Sequence, residues 1–337
     1  MKPIIALAML AAAAVGMCRQ SSADEKPAAI YEANRKLGRG INLGNALEAP
    51  KEGAWGVTLK AEYFKSIKDA GFATVRLPVN WAAHAQAAEP YEIDLTFAQR
   101  VDWAIDQAHA NKLNIILDLH HYGAMHADPD KHLPRLLALW RQIADRYSKQ
   151  PPSVYFELYN EPQDKLNEAR WNAAIPQLLA VVRKSNPTRP VIVGPAQWNG
   201  IRALDKLELP AEDQNLILTV HFYDPFQFTH QGAGFVKGAD QWKGKTWGTE
   251  ADRSAVRDAF ARAAAWAKKH DRPVFVGEFG VFQEAPMDSR AKWTRFVVSE
   301  AERNGFSWAY WEFCSGFGAY DPKTDKWREP MKAALIQ

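Results

Sequence analysis

Two glutamates carry the chemistry that this sequence offers. Glu161 lies near the end of Val-Tyr-Phe-Glu-Leu-Tyr-Asn-Glu-Pro at 154–162, and Glu278 closes Pro-Val-Phe-Val-Gly-Glu at 273–278. Each is a carboxylate at the end of an otherwise apolar, strand-like run. Proline has no N–H to give to a sheet, so Pro162 is expected to end its strand and leave Glu161 at the C-terminal tip, where a loop begins. Paired carboxylates suit acetal hydrolysis: one stays protonated to serve the leaving oxygen, and the other stays ionised as nucleophile or base. Their separation sets the stereochemistry, at about 5–5.5 Å for retention and about 6.5–9.5 Å for inversion. Arg76, inside Val-Arg-Leu-Pro, gives the two a reason to differ. A guanidinium beside Glu278 would favour its ionised form, while Glu161, without a cation, would be pushed up by partial burial and by the other carboxylate. That division makes Glu278 the nucleophile and Glu161 the acid/base.

The elements that must position these groups repeat one pattern from about residue 38 onward. A short apolar run is followed by a loop rich in Gly, Pro, Asn or His, and then by a stretch with helical periodicity, which argues for βα units around a parallel sheet. Strands are expected at 40–43, 74–78, 115–120, 154–160, 190–194, 216–221, 274–278 and 306–311. Between them Leu59, Tyr63, Ile67 and Ala70 step by three or four, as do Phe97, Val101, Ala104, Ile105 and Ala108, and further helices are expected at 133–147, 168–184, 250–270 and 288–304. The pattern predicts a single-domain (β/α)8 TIM barrel. An open doubly wound sheet is the alternative, but no Gly-x-Gly-x-x-Gly follows the first strand. A barrel gathers its site at the C-terminal strand ends. Those ends hold Asn42, Arg76, His120, His121, Asn160, Glu161, Trp198, Asn199, His221, Tyr223, Glu278 and Trp311. Glu312, next to Trp311, would point to the opposite face if the last strand continued, and reads as structural.

These residues form a specific resemblance. Asn160-Glu161-Pro162, Val75-Arg76-Leu77-Pro78, Leu119-His120-His121, His221-Phe222-Tyr223, Gly277-Glu278-Phe279-Gly280 and Trp308-Ala309-Tyr310-Trp311 occur in the order found in glycoside hydrolase family 5, the cellulase family of clan A. Gly40-Ile41-Asn42-Leu43-Gly44-Asn45 also resembles the first strand of its bacterial endoglucanases, and the likeness runs from about residue 38 to 330. The resemblance implies a retaining double displacement without metal or organic cofactor, with Glu161 as acid/base and Glu278 as nucleophile. It further implies that Arg76 and Tyr223 orient the nucleophile, that His221 sits near the acid/base, and that Asn160 holds the sugar 2-hydroxyl. His120 would contact the sugar at the point of cleavage, with Trp311 as the platform beneath it and His121 and Asn42 also facing substrate. The segments 221–232 and 311–321 look like the endoglucanase branch, which implies internal β-1,4-glucosidic bonds in a β-linked glucan. A mannan, a xyloglucan or a mixed-linkage glucan is the alternative substrate, and a non-catalytic carbohydrate-binding barrel the alternative class.

Composition sets the remaining bounds. The 337 residues include 13 Trp, more than a core of this size needs, so some are expected as sugar platforms: Trp198, Trp242 and Trp247, with Phe226. Residues 1–23 read as a signal peptide and 24–337 as the catalytic domain, giving a secreted or periplasmic protein. Cys18 offers a rival leader reading, a lipid-attachment site, although Met17 before it is larger than the usual residue there. There are 42 basic and 39 acidic residues, and a leader cut removes Lys2 and Arg19, leaving near balance. No electrostatic case for nucleic acid remains. After that cut only Cys314 is left, without a partner for a disulfide or a thiol-based metal site. The histidine pair His120-His121 raises metal as a question, but the first strand lacks the paired histidines of metal-hydrolase barrels. No membrane span is expected, and the protein is expected to be a monomer.

Overall fold

The computed structural model describes residues 29–336, so the expected leader at 1–23 and Cys18 lie outside the described residues. Eight parallel strands close into a barrel in chain order: β1 Arg39–Asn42, β2 Thr74–Val79, β3 Asn114–Leu119, β4 Val154–Glu157, β5 Val191–Val193, β6 Leu216–Phe222, β7 Val274–Phe279 and β8 Ser307–Tyr310. The α-helices among the described residues are α1 Ala29–Leu37, α2 Ala61–Asp69, α3 Leu95–Ala110, α4 Gly123–Ala127, α5 Pro129–Arg146, α6 Glu168–Ser185, α7 Phe226–Thr229, α8 Glu250–His270, α9 Met287–Arg303 and α10 Glu329–Leu335. A two-stranded antiparallel ribbon, β9 Tyr320–Asp321 with β10 Lys326–Trp327, follows the barrel. The strands read as continuous apolar runs because barrel interior and helix layer cover both faces; every residue of β2, β6 and β7 is buried. Side-chain caps start α3, α6 and α8, with Asp94 on Phe97 N–H, Asn167 on Arg170 N–H and a Thr249–Asp252 capping box. Among the described residues no helix is long and apolar enough to cross a membrane.

The barrel interior is divided by polarity. Its lower layer is Ile116, Tyr155, Ile192, Ile217, Phe275 and Ala309, closed beneath by Ile30 and Leu37 of α1. The Asn34 amide donates to Val274 O at 3.1 Å and the Tyr155 hydroxyl to Ala33 O at 2.9 Å, which ties that plug to the strands. Sequence periodicity begins its pattern at residue 38 and so misses α1. The buried charged side chains Arg76, Asp118, Glu157 and Glu278 lie in the layer above. The tryptophan surplus is mostly structural: seven of the 13, at 81, 140, 171, 247, 266, 293 and 308, are buried. Three pin helices to strand-end carbonyls, Trp140 Nε1 to Leu158 O at 2.9 Å, Trp171 Nε1 to Gly194 O at 2.8 Å and Trp293 Nε1 to Asp224 O at 3.0 Å.

Two local departures from regular strand place the glutamates. β4 ends at Glu157 rather than at Asn160, and Pro162 is not its terminator. The chain still follows the barrel rim, with Leu158 N–H on Ile192 O at 3.1 Å and Asn160 N–H on Leu119 O at 2.9 Å, and then turns at Glu161, whose φ of 51° is left-handed. On β7 the register to β6 slips: Val220 pairs with Val276, but His221 pairs with Glu278, leaving Gly277 as the extra residue of a bulge. Such bulges re-aim side chains beside active sites. Here the bulge brings His221 and Glu278 level. A Cβ on Gly277 would lie 2.5 Å from Thr219 Oγ1, so glycine is what the crowded bulge admits.

At the exit of β7 a Cβ on Gly280 would lie 2.0 Å from Trp311 O, backbone that cannot step aside. Gly280→Ala is therefore expected to cost about 2–3 kcal/mol of stability by overpacking. Urea unfolding would show this as a lower midpoint with unchanged slope, whereas an unchanged midpoint would refute the close approach.

Candidate active site

The polar layer is built on Arg76, which is 0% exposed. Its guanidinium grips Glu157 with two bonds, Nε to Oε2 at 2.7 Å and Nη2 to Oε1 at 3.0 Å. Nη1 donates to Glu278 Oε1 at 2.8 Å and to Asn42 Oδ1 at 2.9 Å, while Nη2 reaches Asn160 Oδ1 at 2.9 Å and Asp118 Oδ2 at 3.0 Å. Burial alone would lower the Arg76 pKa, but Asp118, Glu157 and Glu278 outweigh it and hold the group charged. Arg76 meets Glu278 as its sequence position suggests, but its firmer grip is on Glu157. Asp118 joins the cluster from inside β3, one residue short of the strand end. A signal was present: Asp118 and His120 stand two apart on one strand and so share a face.

Glu278 accepts from Arg76 through Oε1 and from the Tyr223 hydroxyl through Oε2 at 2.9 Å. His221 Nδ1 lies 2.8 Å from Glu161 Oε1 and 3.6 Å from Glu278 Oε2, so one imidazole edge stands between the two acids. Oxygens of Glu161 and Glu278 and a His221 nitrogen lie within 4.8 Å of one another. That spacing could also hold a cation, but a cation would have to share the Glu278 carboxylate with Arg76 and Tyr223. Burial pushes the Glu161 carboxyl up to about 7, with Arg76 opposing and Glu157 adding. Its side chain keeps 24% exposure, so water screens part of that shift. Burial also raises Glu278, although His221, Arg76 and the Tyr223 hydrogen bond pull the other way. The expected depression of Glu278 by Arg76 is therefore only a counterweight, because removing a carboxylate from water costs more than the one shared cation returns. Burial lowers His221 to about 4, so it is neutral at pH 7.

The other expected residues divide. His120 is buried between Asp118 and Asn160, and its ring lies parallel to the half-buried Trp311 indole at 5.8 Å. A Cβ on Gly44 would touch Trp311 Cη2 at 3.0 Å, so glycine lets that indole lie flat. His121 is exposed at the mouth. Asn42 is not a substrate residue: it is fully buried, and its amide donates to Gly277 O at 3.0 Å and to Ala309 O and Tyr310 O, both at 3.3 Å, while its oxygen serves Arg76. Trp247 is not a platform either. It is 5% exposed and packs on Phe296 with ring centroids 5.5 Å apart. Trp198 and Phe226 do line the cleft of about 1280 Å³ that opens from Glu161. Trp242 stands edge-on behind Phe226 and is not among the residues lining that cleft. Two exposed aromatics escaped the sequence reading: Phe235, 71% exposed at the cleft, and Trp55, edge-on to His121 at 5.6 Å. Each follows a glycine turn, Gly53-Ala-Trp55-Gly56 and Gly232-Ala-Gly234-Phe235, which is the signal that could have found them.

Glu312 is structural, but by another route than strand alternation, since β8 ends at Tyr310. Its buried carboxylate accepts backbone N–H groups of Cys314 and Ser315 at 2.8 Å and of Phe317 at 3.1 Å, shaping the loop behind Trp311. Glu48 does the same for Asn45 and Ala46 on the β1 loop. Burial pushes the Cys314 thiol up, which keeps it protonated.

A parallel barrel whose mouth sets two carboxylates against each other, one held by a guanidinium and a phenol, has the architecture of a glycosidase. The pattern of the cellulase family, glycosyl hydrolase family 5, matches residues 37–316, and the chain belongs to that family. It is 35% identical over 291 residues to Endoglucanase H of Acetivibrio thermocellus, covering 86% of this chain but 31% of that relative's length. Endoglucanase B of Clostridium cellulovorans is 27% identical over 318 residues, 86% of this chain and 70% of its own. Among solved structures, Cel5A of Thermotoga maritima in complex with mannotriose superposes with a TM-score of 0.90 at 46% identity, covering 91% of this chain and 100% of that one. The same enzyme solved with cellobiose gives the same TM-score, identity and coverage.

The two tryptophans at 198 and 247 should behave oppositely on truncation. Trp247→Ala is expected to cost about 3–5 kcal/mol of stability. Trp198→Ala is expected to leave the melting temperature within about 2 °C, because surface substitutions cost little, and to raise KM on long oligosaccharides. Thermal unfolding alongside steady-state kinetics would check both.

Proposed function

We propose that the protein hydrolyses internal β-1,4-glucosidic bonds of a glucan by a retaining double displacement. The observation that carries this reading is the approach of Glu161 and Glu278 oxygens to within 4.8 Å with His221 between them. That closeness is in keeping with the short separation of a retaining pair. The sugar chain lies across the mouth, on Trp311 at one side and along the cleft past Trp198 and Phe226 at the other. Glu161, protonated, gives its proton to the glycosidic oxygen as Glu278 attacks the anomeric carbon. The leaving chain departs as an alcohol, and the sugar is held as an ester of Glu278. Esterification removes the Glu278 charge that couples to Glu161, so Glu161 ionises more readily. It then takes a proton from a water that attacks the same carbon, and Glu278 leaves as a carboxylate. His221, neutral, and Tyr223 hold the two carboxyls in place through this exchange, and Asn160 holds the 2-hydroxyl.

The second reading is a β-mannan, favoured by the mannotriose complex of a neighbour at 46% identity. Reading residues 1–23 as a leader adds export to the proposal. Hydrolysis of soluble β-1,4-glucan, mixed-linkage glucan, mannan and xyloglucan, with early products scored for size and anomeric configuration, tests the whole reading. Retained internal-cut products from glucan are expected; predominantly inverted products would contradict the mechanism, and cleavage of mannan alone the substrate.

Since the free enzyme needs Glu161 protonated, its raised pKa extends activity upward, and kcat/KM is expected to fall as pH rises through about 7. Loss of that limb in Glu161→Ala would tie it to this group. The same variant should still attack an aryl cellobioside with an activated leaving group while losing about 100- to 10,000-fold on polysaccharide, because a good leaving group needs no proton. Equal losses on both substrates would count against the acid role.

A further inference from the structure

Asp118 belongs to no step of that mechanism, yet it is fully buried within the polar layer. Its surroundings admit one hydrogen-bond assignment, and the assignment starts from Arg76. A guanidinium only donates. Arg76 Nη2 lies 2.9 Å from the Asn160 side chain, so the atom facing it is the amide oxygen. The Asn160 amide nitrogen is thereby turned toward His120 Nε2, at 3.2 Å. That nitrogen donates, so His120 Nε2 must accept, and the ring proton of the neutral imidazole must sit on Nδ1. Nδ1–H then needs an acceptor, and Asp118 Oδ2 is the atom it meets. The same oxygen also lies 3.0 Å from Arg76 Nη2 as an ion-pair partner, although the two Nη2 hydrogens go to Glu157 and Asn160. Asp118 Oδ1, by contrast, is buried without a hydrogen-bond partner.

We propose that Asp118 is a positioning residue that, from the end of the chain opposite Arg76, holds His120 in the tautomer with its proton on Nδ1 and so secures the orientation in which Asn160 presents its remaining amide N–H to the substituent at C2 of the sugar. The proposal rests on the reading of Asn160 as the 2-hydroxyl partner and adds to it the group that sets that contact. If Asp118 were replaced by an apolar residue, His120 would be free to carry its proton on Nε2. Two donors would then face each other, and the Asn160 amide could no longer hold both Arg76 and His120. The second-row carboxylate is thus tied to discrimination at C2, the carbon at which gluco- and manno-configured sugars differ.

The test compares kcat/KM on 4-nitrophenyl β-cellobioside and on its analogue lacking the 2-hydroxyl in the ring that is cleaved. The ratio of the two is independent of how much of a preparation is folded. Asp118→Ala is expected to lose about 10- to 100-fold on the parent substrate, the cost of leaving a buried polar group without its partner, and little on the 2-deoxy analogue, so that the ratio collapses. Asp118→Asn can keep an acceptor oxygen at the Oδ2 position and its amino group at the unpartnered Oδ1 position, and is expected to keep the ratio within about threefold, a difference well under one hydrogen bond. An unchanged ratio in Asp118→Ala overturns the proposal. In the wild-type protein at pH 7, ¹⁵N spectra of the histidine rings should show His120 protonated at Nδ1. Protonation at Nε2 overturns the relay whether or not the alanine variant folds. A wild-type protein inactive on both glycosides would sink the hydrolase reading instead, while the tautomer would still judge the relay.

Discussion

One guanidinium among three buried carboxylates is the constraint on which this site depends. Asp118, Glu157 and Glu278 all point at Arg76, so the cluster holds more negative than positive charge when all are ionised. In a water-excluded layer such an excess is tolerated only where every oxygen is hydrogen-bonded or the carboxyl stays protonated. The structure uses both means. Glu157 is bonded twice to Arg76, and Glu278 takes Arg76 and Tyr223. Asp118 and Glu161 are each pushed up to about 7 by burial. Lysine could not replace Arg76, since a point-like ammonium cannot serve Glu157, Glu278, Asn42, Asn160 and Asp118 in a fixed plane.

The barrel supplies the two conditions that make this cluster useful. Its lower interior is apolar and sealed by α1, so the polar layer is confined to the open mouth. Above it, a bulge at Gly277 and a left-handed turn at Glu161 bring two carboxyls to one imidazole from strands that are not neighbours. The asymmetry between the acids then follows from their contacts. Glu278 is held by direct donors on both oxygens, whereas Glu161 has His221 alone and stands partly open to the cleft where a leaving group must receive its proton.

Much of this was legible in the sequence because parallel strands and amphipathic helices write strong periodic signals. All eight strands, both glutamates, Arg76, His221 and Tyr223 stand where the pattern of apolar runs ending in polar residues placed them. What escaped depends on three-dimensional neighbours. Asn42 looked like a mouth residue, yet its amide is consumed by three backbone carbonyls and Arg76. Trp247 sits in a polar loop, but that loop folds inward and buries it. Strand 4 was read three residues too long, since apolar composition continues along the rim after the ladder has ended. Asp118 and Glu157 lie inside apolar runs rather than at strand ends, and their partner Arg76 comes from another strand.

The central claim is that Glu278, held by Arg76 and Tyr223, forms the covalent bond to the sugar. The most direct measurement is to trap that ester with an activated 2-deoxy-2-fluoro β-cellobioside, whose fluorine slows both steps while its leaving group keeps the first one fast. Intact mass should rise by one fluorocellobiosyl unit, and peptide mapping should place it on Glu278. A label on Glu161 or on any other residue would contradict the account.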